Sequence, residues 1–99
     1  MADWVMVITV KFVGSLRHFS GAGELELGCS ECGSVGELVN ELVKEVPEME
    51  RSLIDRQLED PRPNVLILVN GVEIGVLYGL ATELRDGDEI VFVPVVHGG

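Results

Sequence analysis

Apolar residues recur along this chain with two periods, and the changes of period mark its elements. From Trp4 to Val13 the residues are mostly β-branched or aromatic; a period of two puts Thr9 and Lys11 on one face and Ile8, Val10 and Phe12 on the other. This reads as a strand whose core face is the second set. Leu16 to Gly23 follows as a turn or one helical turn, and Glu24-Leu25-Glu26-Leu27 alternates polar with apolar, as a half-exposed strand paired back on the first would. Ser34 and Glu37 have capping-box spacing, after which Val35, Leu38, Val39, Leu42, Val43 and Val46 lie on one helical face until Pro47 ends it. The opposite face carries Glu37, Asn40, Glu41, Lys44 and Glu45, so the helix should rest on a sheet with its acidic side in water.

A shorter helical pattern, Met49 with Leu53 and Ile54 to Leu58, precedes a loop broken by Pro61 and Pro63. Val65 to Val69 is an uninterrupted apolar run, and Asn70-Gly71 after it predicts a two-residue hairpin with both turn residues at positive φ. The return strand is expected over 72–76, a connection over 77–84, and a turn at Asp86-Gly87-Asp88. The last strand is expected over 89–96, with pairing fading near Pro94, which has no N–H to donate. The order is strand, strand, helix, then three strands. The simplest compact solution is a mixed five-stranded sheet wrapped on the helix, with the apolar first and last strands central and parallel. That is an α+β chain of β-grasp type: one domain over 1–96 and a flexible tail over 97–99.

Composition narrows the function classes. The chain has 99 residues, 46% of them apolar, with seventeen acidic side chains against seven Lys and Arg and a net charge of −10. Such a chain repels phosphate backbones and anionic lipid, so nucleic-acid and membrane roles are disfavoured and charged partners should be basic. Its length leaves little room for an enclosed active site. No apolar run approaches the roughly 20 residues of a membrane span, and residues 1–13 lack the basic start of a secretory signal. A monomer in the cytoplasm is expected. Cys29-x-x-Cys32 supplies two sulfurs where zinc wants four ligands, and His18 and His97 lie far off in sequence. The pair is read as an incidental loop pair, with a reversible disulfide or an intermolecular metal site as alternatives; no bound metal is assigned. His18 is given no role. The acidic run from Glu37 to Glu50 reads as a solvated face that could meet a basic enzyme.

The end of the chain carries the candidate chemistry. His97-Gly98-Gly99 adds no packing, and a frayed end is the ordinary reading. The alternative is that a tail without side chains threads a narrow channel and presents the Gly99 carboxylate as the reacting group. Leu16-Arg17 and Gly21, the 28–46 loop and helix, Val69-Asn70-Gly71, the 82–94 segment with its Leu84-Arg85-Asp86-Gly87-Asp88-Glu89-Ile90 turn, and the closing Gly98-Gly99 together carry a family resemblance. On these residues the whole chain resembles the ubiquitin-like sulfur carriers and modifiers of the ThiS and MoaD type, above all the small archaeal modifiers and the ubiquitin-related modifier.

The resemblance implies a carrier rather than an enzyme. An activating enzyme using ATP and magnesium would join the Gly99 carboxylate to AMP. The adenylate would then become a thiocarboxylate for sulfur transfer to molybdopterin or tRNA, or an isopeptide bond to a protein lysine. His97 and Gly98 would engage the activating enzyme, and Val91, Val93 and Val95 would form a partner patch, although they could equally cover a second core face. Lys11 and Lys44 are the only acceptor lysines for self-conjugation. Alternatives are a dedicated small subunit of molybdopterin synthase, partnered by its large subunit, and a β-grasp interaction domain whose Gly-Gly is incidental.

Overall fold

The computed structural model describes residues 5–19, 23–30, 32–49 and 65–94. Five strands, β1 (Met6–Phe12), β2 (Glu24–Cys29), β3 (Val65–Val69), β4 (Val72–Glu73) and β5 (Glu89–Pro94), form one sheet in the order β2-β1-β5-β3-β4. β1 and β5 are parallel and central, and every other pairing is antiparallel. Among the described residues the α-helix is α1 (Val35–Glu45), which starts from Ser34, whose Oγ accepts from the Glu37 N–H at 3.3 Å. It stops at Val46, before Pro47 can continue it.

Alternation along the strands decides the core. Ile8, Val10 and Phe12 of β1, Val65, Ile67 and Val69 of β3, and Ile90 and Phe92 of β5 are buried with Val35, Leu38, Val39 and Leu42 of α1. Parallel pairing places Phe12 beside Phe92, whose rings stack with centroids 5.7 Å apart. The acidic side of α1 faces water, as its spacing requires.

Two boundaries stand out as different from expectation. β2 runs on to Cys29, because Gly28 and Cys29 pair with Val7 and Met6 of β1. The return strand after Asn70-Gly71 is only two residues long, and Ile74–Val76 is a 3₁₀ turn. The cause is local: the Glu73 carboxylate accepts from the Gly75 N–H at 2.7 Å, and Ile74 turns fully into the core. β5 is described only to Pro94. Most of the second helical pattern, the Pro61–Pro63 loop, Val95 and the 97–99 tail lie outside the described residues. Among those described, no helix is long and apolar enough to cross a membrane.

Candidate functional site

β5 carries two sets of side chains with opposite fates. Ile90 and Phe92 are fully buried under α1, whereas Val91 and Val93 lie half-buried on the outer face of the sheet. The antiparallel register sets Leu66 of β3 opposite Val93 and Leu68 opposite Val91. These four side chains share one face and form an apolar patch across the two strands. Val91 and Val93, read from sequence as a partner patch or a second core face, lie half-buried on this outer face; Val95 lies outside the described residues.

Leu66 and Leu68 were not foreseen, although the signal was there. Successive side chains of a strand point to opposite faces, so with Val65, Ile67 and Val69 in the core, Leu66 and Leu68 fall on the outer face. Leu66 is 42% exposed. A second apolar group on the β4 side, Val72, Val76, Leu77 and Tyr78, is also exposed. It was missed because 72–76 was read as strand.

The patch is bordered by charge. Lys11, level with Val91 in the parallel register, reaches Glu89 at 2.9 Å and Glu24 at 3.8 Å. The hydrogen bond that Lys11 donates to the Glu89 carboxylate, the charge of Glu89, and that of Glu24 together raise the Lys11 pKa above its ordinary value near 10.5. Lys44, by contrast, has a 72% exposed side chain that reaches Glu41 at 3.1 Å among the described residues. The two acceptor candidates are thus placed differently, one across the sheet and one on the wet side of α1.

The Asp86-Gly87-Asp88 turn, a strong sequence signature, is occupied in holding the fold. Asp86 accepts from the Val7 N–H at 2.7 Å, and Asp88 accepts from the Arg85 N–H at 2.8 Å and from the Asn70 side-chain amide at 3.0 Å. The Asn70 carbonyl oxygen in turn accepts from the Glu89 N–H at 3.0 Å. The turn thereby locks the start of β5 between β1 and the hairpin, so its acids are structural.

At the other end of β5, Pro94 reaches the rim beside Gly14, where an added Cβ would come within 3.2 Å of the proline ring. Gly14 has φ +63°, so the chain turns there in a way that suits glycine. His97, Gly98 and Gly99 follow, outside the described residues. Cys29 and Cys32 are joined as a disulfide, which corrects the reading of an incidental pair; β2 and the start of α1 hold their Cα atoms 5.9 Å apart, within disulfide range. Engaged in that bond, neither sulfur is a thiolate ligand. Among the described residues no group of three or more His, Cys, Asp or Glu is placed to hold a metal ion.

A mixed sheet of order 2-1-5-3-4, grasping α1 on one face and offering an apolar patch on the other, defines a ubiquitin-like β-grasp protein. Residues 10–99 match the ThiS family. The chain is 31% identical over 96 residues to small archaeal modifier protein 3 of Haloferax volcanii, covering 95% of this chain and all of that one. It is 30% identical over 97 residues to ubiquitin-related modifier 1 of Schizosaccharomyces pombe, again covering 95% of this chain and all of that one. Its fold superposes on the solution structure of small archaeal modifier protein 1 from Methanosarcina acetivorans with a TM-score of 0.81 at 29% identity, covering 98% of this chain and all of that one. The chain belongs to the ThiS family of ubiquitin-like carriers and modifiers.

Proposed function

We propose that this chain is a protein modifier and sulfur carrier whose Gly99 carboxylate is activated by a separate ATP-using enzyme. A carboxylate is a poor electrophile because its oxygen is a poor leaving group. Attack of the Gly99 carboxylate on the α-phosphate of ATP releases pyrophosphate and gives an acyl-adenylate, from which AMP leaves readily. Attack by a lysine amine then forms an isopeptide bond; attack by a sulfur donor leads to a thiocarboxylate. ATP and magnesium belong to the activating enzyme, and the chain itself is substrate.

One observation carries this reading above the others: β5 is described to Pro94 on the sheet rim, four residues before the first glycine of a Gly-Gly that the family match includes. Gly98 supplies the backbone clearance and His97 sets how the tail leaves the last strand. The patch of Leu66, Leu68, Val91 and Val93 supports docking, since it adjoins the strand that leads to the tail. Val95 would extend it.

The test is intact mass spectrometry after incubation with ATP, magnesium and the cognate activating enzyme. An adenylate, thiocarboxylate or conjugate is expected, and none from a chain lacking Gly98 and Gly99. No product from the full chain sinks the proposal. Stable co-purification with a larger catalytic subunit, without conjugates, would instead assign the chain to molybdopterin synthase.

A further inference from the structure

We propose that Cys29 and Cys32 form a thiol–disulfide exchange site, entered at Cys29 by an external dithiol. The two sulfurs differ in access. Cys32 is fully buried among the core side chains, whereas Cys29 is half-buried and lines a surface recess of about 310 Å³ with Val5, Gly28, Ser30 and Glu41. Gly28 puts no side chain over the recess. An incoming thiolate therefore reaches Cys29 and not Cys32, and access selects the sulfur that is attacked.

The surrounding backbone does not depend on the bridge. Cys29 is held by its pairing with Met6, and the segment after Cys32 by the Leu84 N–H to Gly33 carbonyl bond at 2.9 Å and the Val35 N–H to Thr82 carbonyl bond at 3.0 Å. A disulfide closing so short a loop constrains the unfolded chain far less than one closing a long loop. Its sequence separation is 3. The bridge can thus open within the folded protein, which is what a reversible site requires.

The step balances as follows. A thiolate of the dithiol attacks Cys29 Sγ, forming a mixed disulfide; the Cys29–Cys32 bond breaks and its electron pair leaves on Cys32 Sγ, which takes a proton from water. The second thiol of the dithiol then attacks its own sulfur in the mixed disulfide, releasing Cys29 as a thiolate that is protonated in turn. The dithiol is oxidised to a disulfide by two electrons, and the cysteine pair is reduced by two. This site lies at the Met6 end of the sheet and Pro94 at the Phe12 end, so exchange and carboxylate activation can succeed or fail separately.

The full chain, prepared without reductant, is treated with iodoacetamide under native conditions before and after dithiothreitol, and the alkyl groups are counted by mass. None before and one after, at Cys29, is expected, with circular dichroism unchanged and a second group, at Cys32, added only in denaturant. Cys32→Ser should take up glutathione from oxidised glutathione at Cys29 about tenfold or more faster than Cys29→Ser does at Cys32. Two alkyl groups before reduction, even after exposure to an oxidised dithiol buffer, would overturn the proposal. So would a bridge that opens only in denaturant, or equal rates at the two positions.

Discussion

Asn70 is the described non-glycine residue at positive φ, +50°, and three hydrogen bonds tie it to the start of β5. Its N–H donates to the Glu89 carbonyl at 2.8 Å, its side-chain amide donates to Asp88 at 3.0 Å, and its side-chain oxygen accepts from the Glu89 N–H at 3.0 Å. Replacing it with alanine keeps the backbone bond, removes both side-chain bonds, and puts a poorly suited residue in the left-handed region. Two exposed hydrogen bonds contribute at most about 1 kcal/mol each, and the left-handed conformation costs alanine about 1 kcal/mol more than asparagine. The sum is about 2–3 kcal/mol. For a chain of this size that lowers Tm by roughly 10–15 °C. Asn70→Gly separates the two contributions, because glycine tolerates the turn but lacks the side-chain bonds, and should lose about 2 kcal/mol. Urea unfolding followed by circular dichroism gives both values, with the slope checked to be unchanged. If both variants unfold within about 0.5 kcal/mol of the wild type, the clamp between hairpin and β5 does not carry the stability assigned to it.

Other outcomes follow from the same geometry. Leu66→Glu and Val93→Glu alter the outer face and should change stability by less than about 1 kcal/mol while slowing adenylation about tenfold or more, whereas Phe92→Ala removes a fully buried ring and should lose about 3–5 kcal/mol; normal adenylation by both outer-face variants would rule out docking there. If the chain conjugates to itself, Lys44 should be the acceptor, because a nucleophilic amine must be neutral and Glu89 and Glu24 hold Lys11 charged; digestion with trypsin should then give a branched peptide bearing residues 86–99 on Lys44, Arg85 being the last cleavage site. The same branch on Lys11 would refute this. Because its pKa is raised in the folded state, Lys11 contributes stability that is fully present below its ordinary value near 10.5 and is lost as pH rises through the folded value. The urea midpoint of the wild type should accordingly exceed that of Lys11→Gln at pH 8, with the gap shrinking at more alkaline pH; a constant gap would show that the ion pairs are not its source.

Much of the fold was legible because its signals are local. Ser34 and Glu37 with the Val35 to Val46 face announced α1, since one turn of helix fixes which residues share a side. Asn70-Gly71 announced the hairpin, since few residue pairs accept positive φ twice. The Gly-Gly was equally visible, as was the suitability of the apolar first and last strands for the sheet centre. The return strand was misjudged over 74–76 because Val72 to Val76 has strand-like composition, while a single carboxylate, Glu73, caps a turn instead.

What the sequence determined by itself was therefore the set of elements, the charge and the candidate reacting group, all of which depend on residues within a few positions of one another. What only the tertiary structure decided was which apolar residues are surface and what the motif residues touch. Leu66 and Val93 are separated by long stretches of chain, and the antiparallel register alone sets them side by side. The Asp86-Gly87-Asp88 turn is a lock because Val7 and Asn70 happen to lie against it, and Cys29 and Cys32 differ in access because one sits by the end of a strand and the other under the core. Composition cannot carry these facts, because burial and contact are properties of the whole fold and not of any one segment.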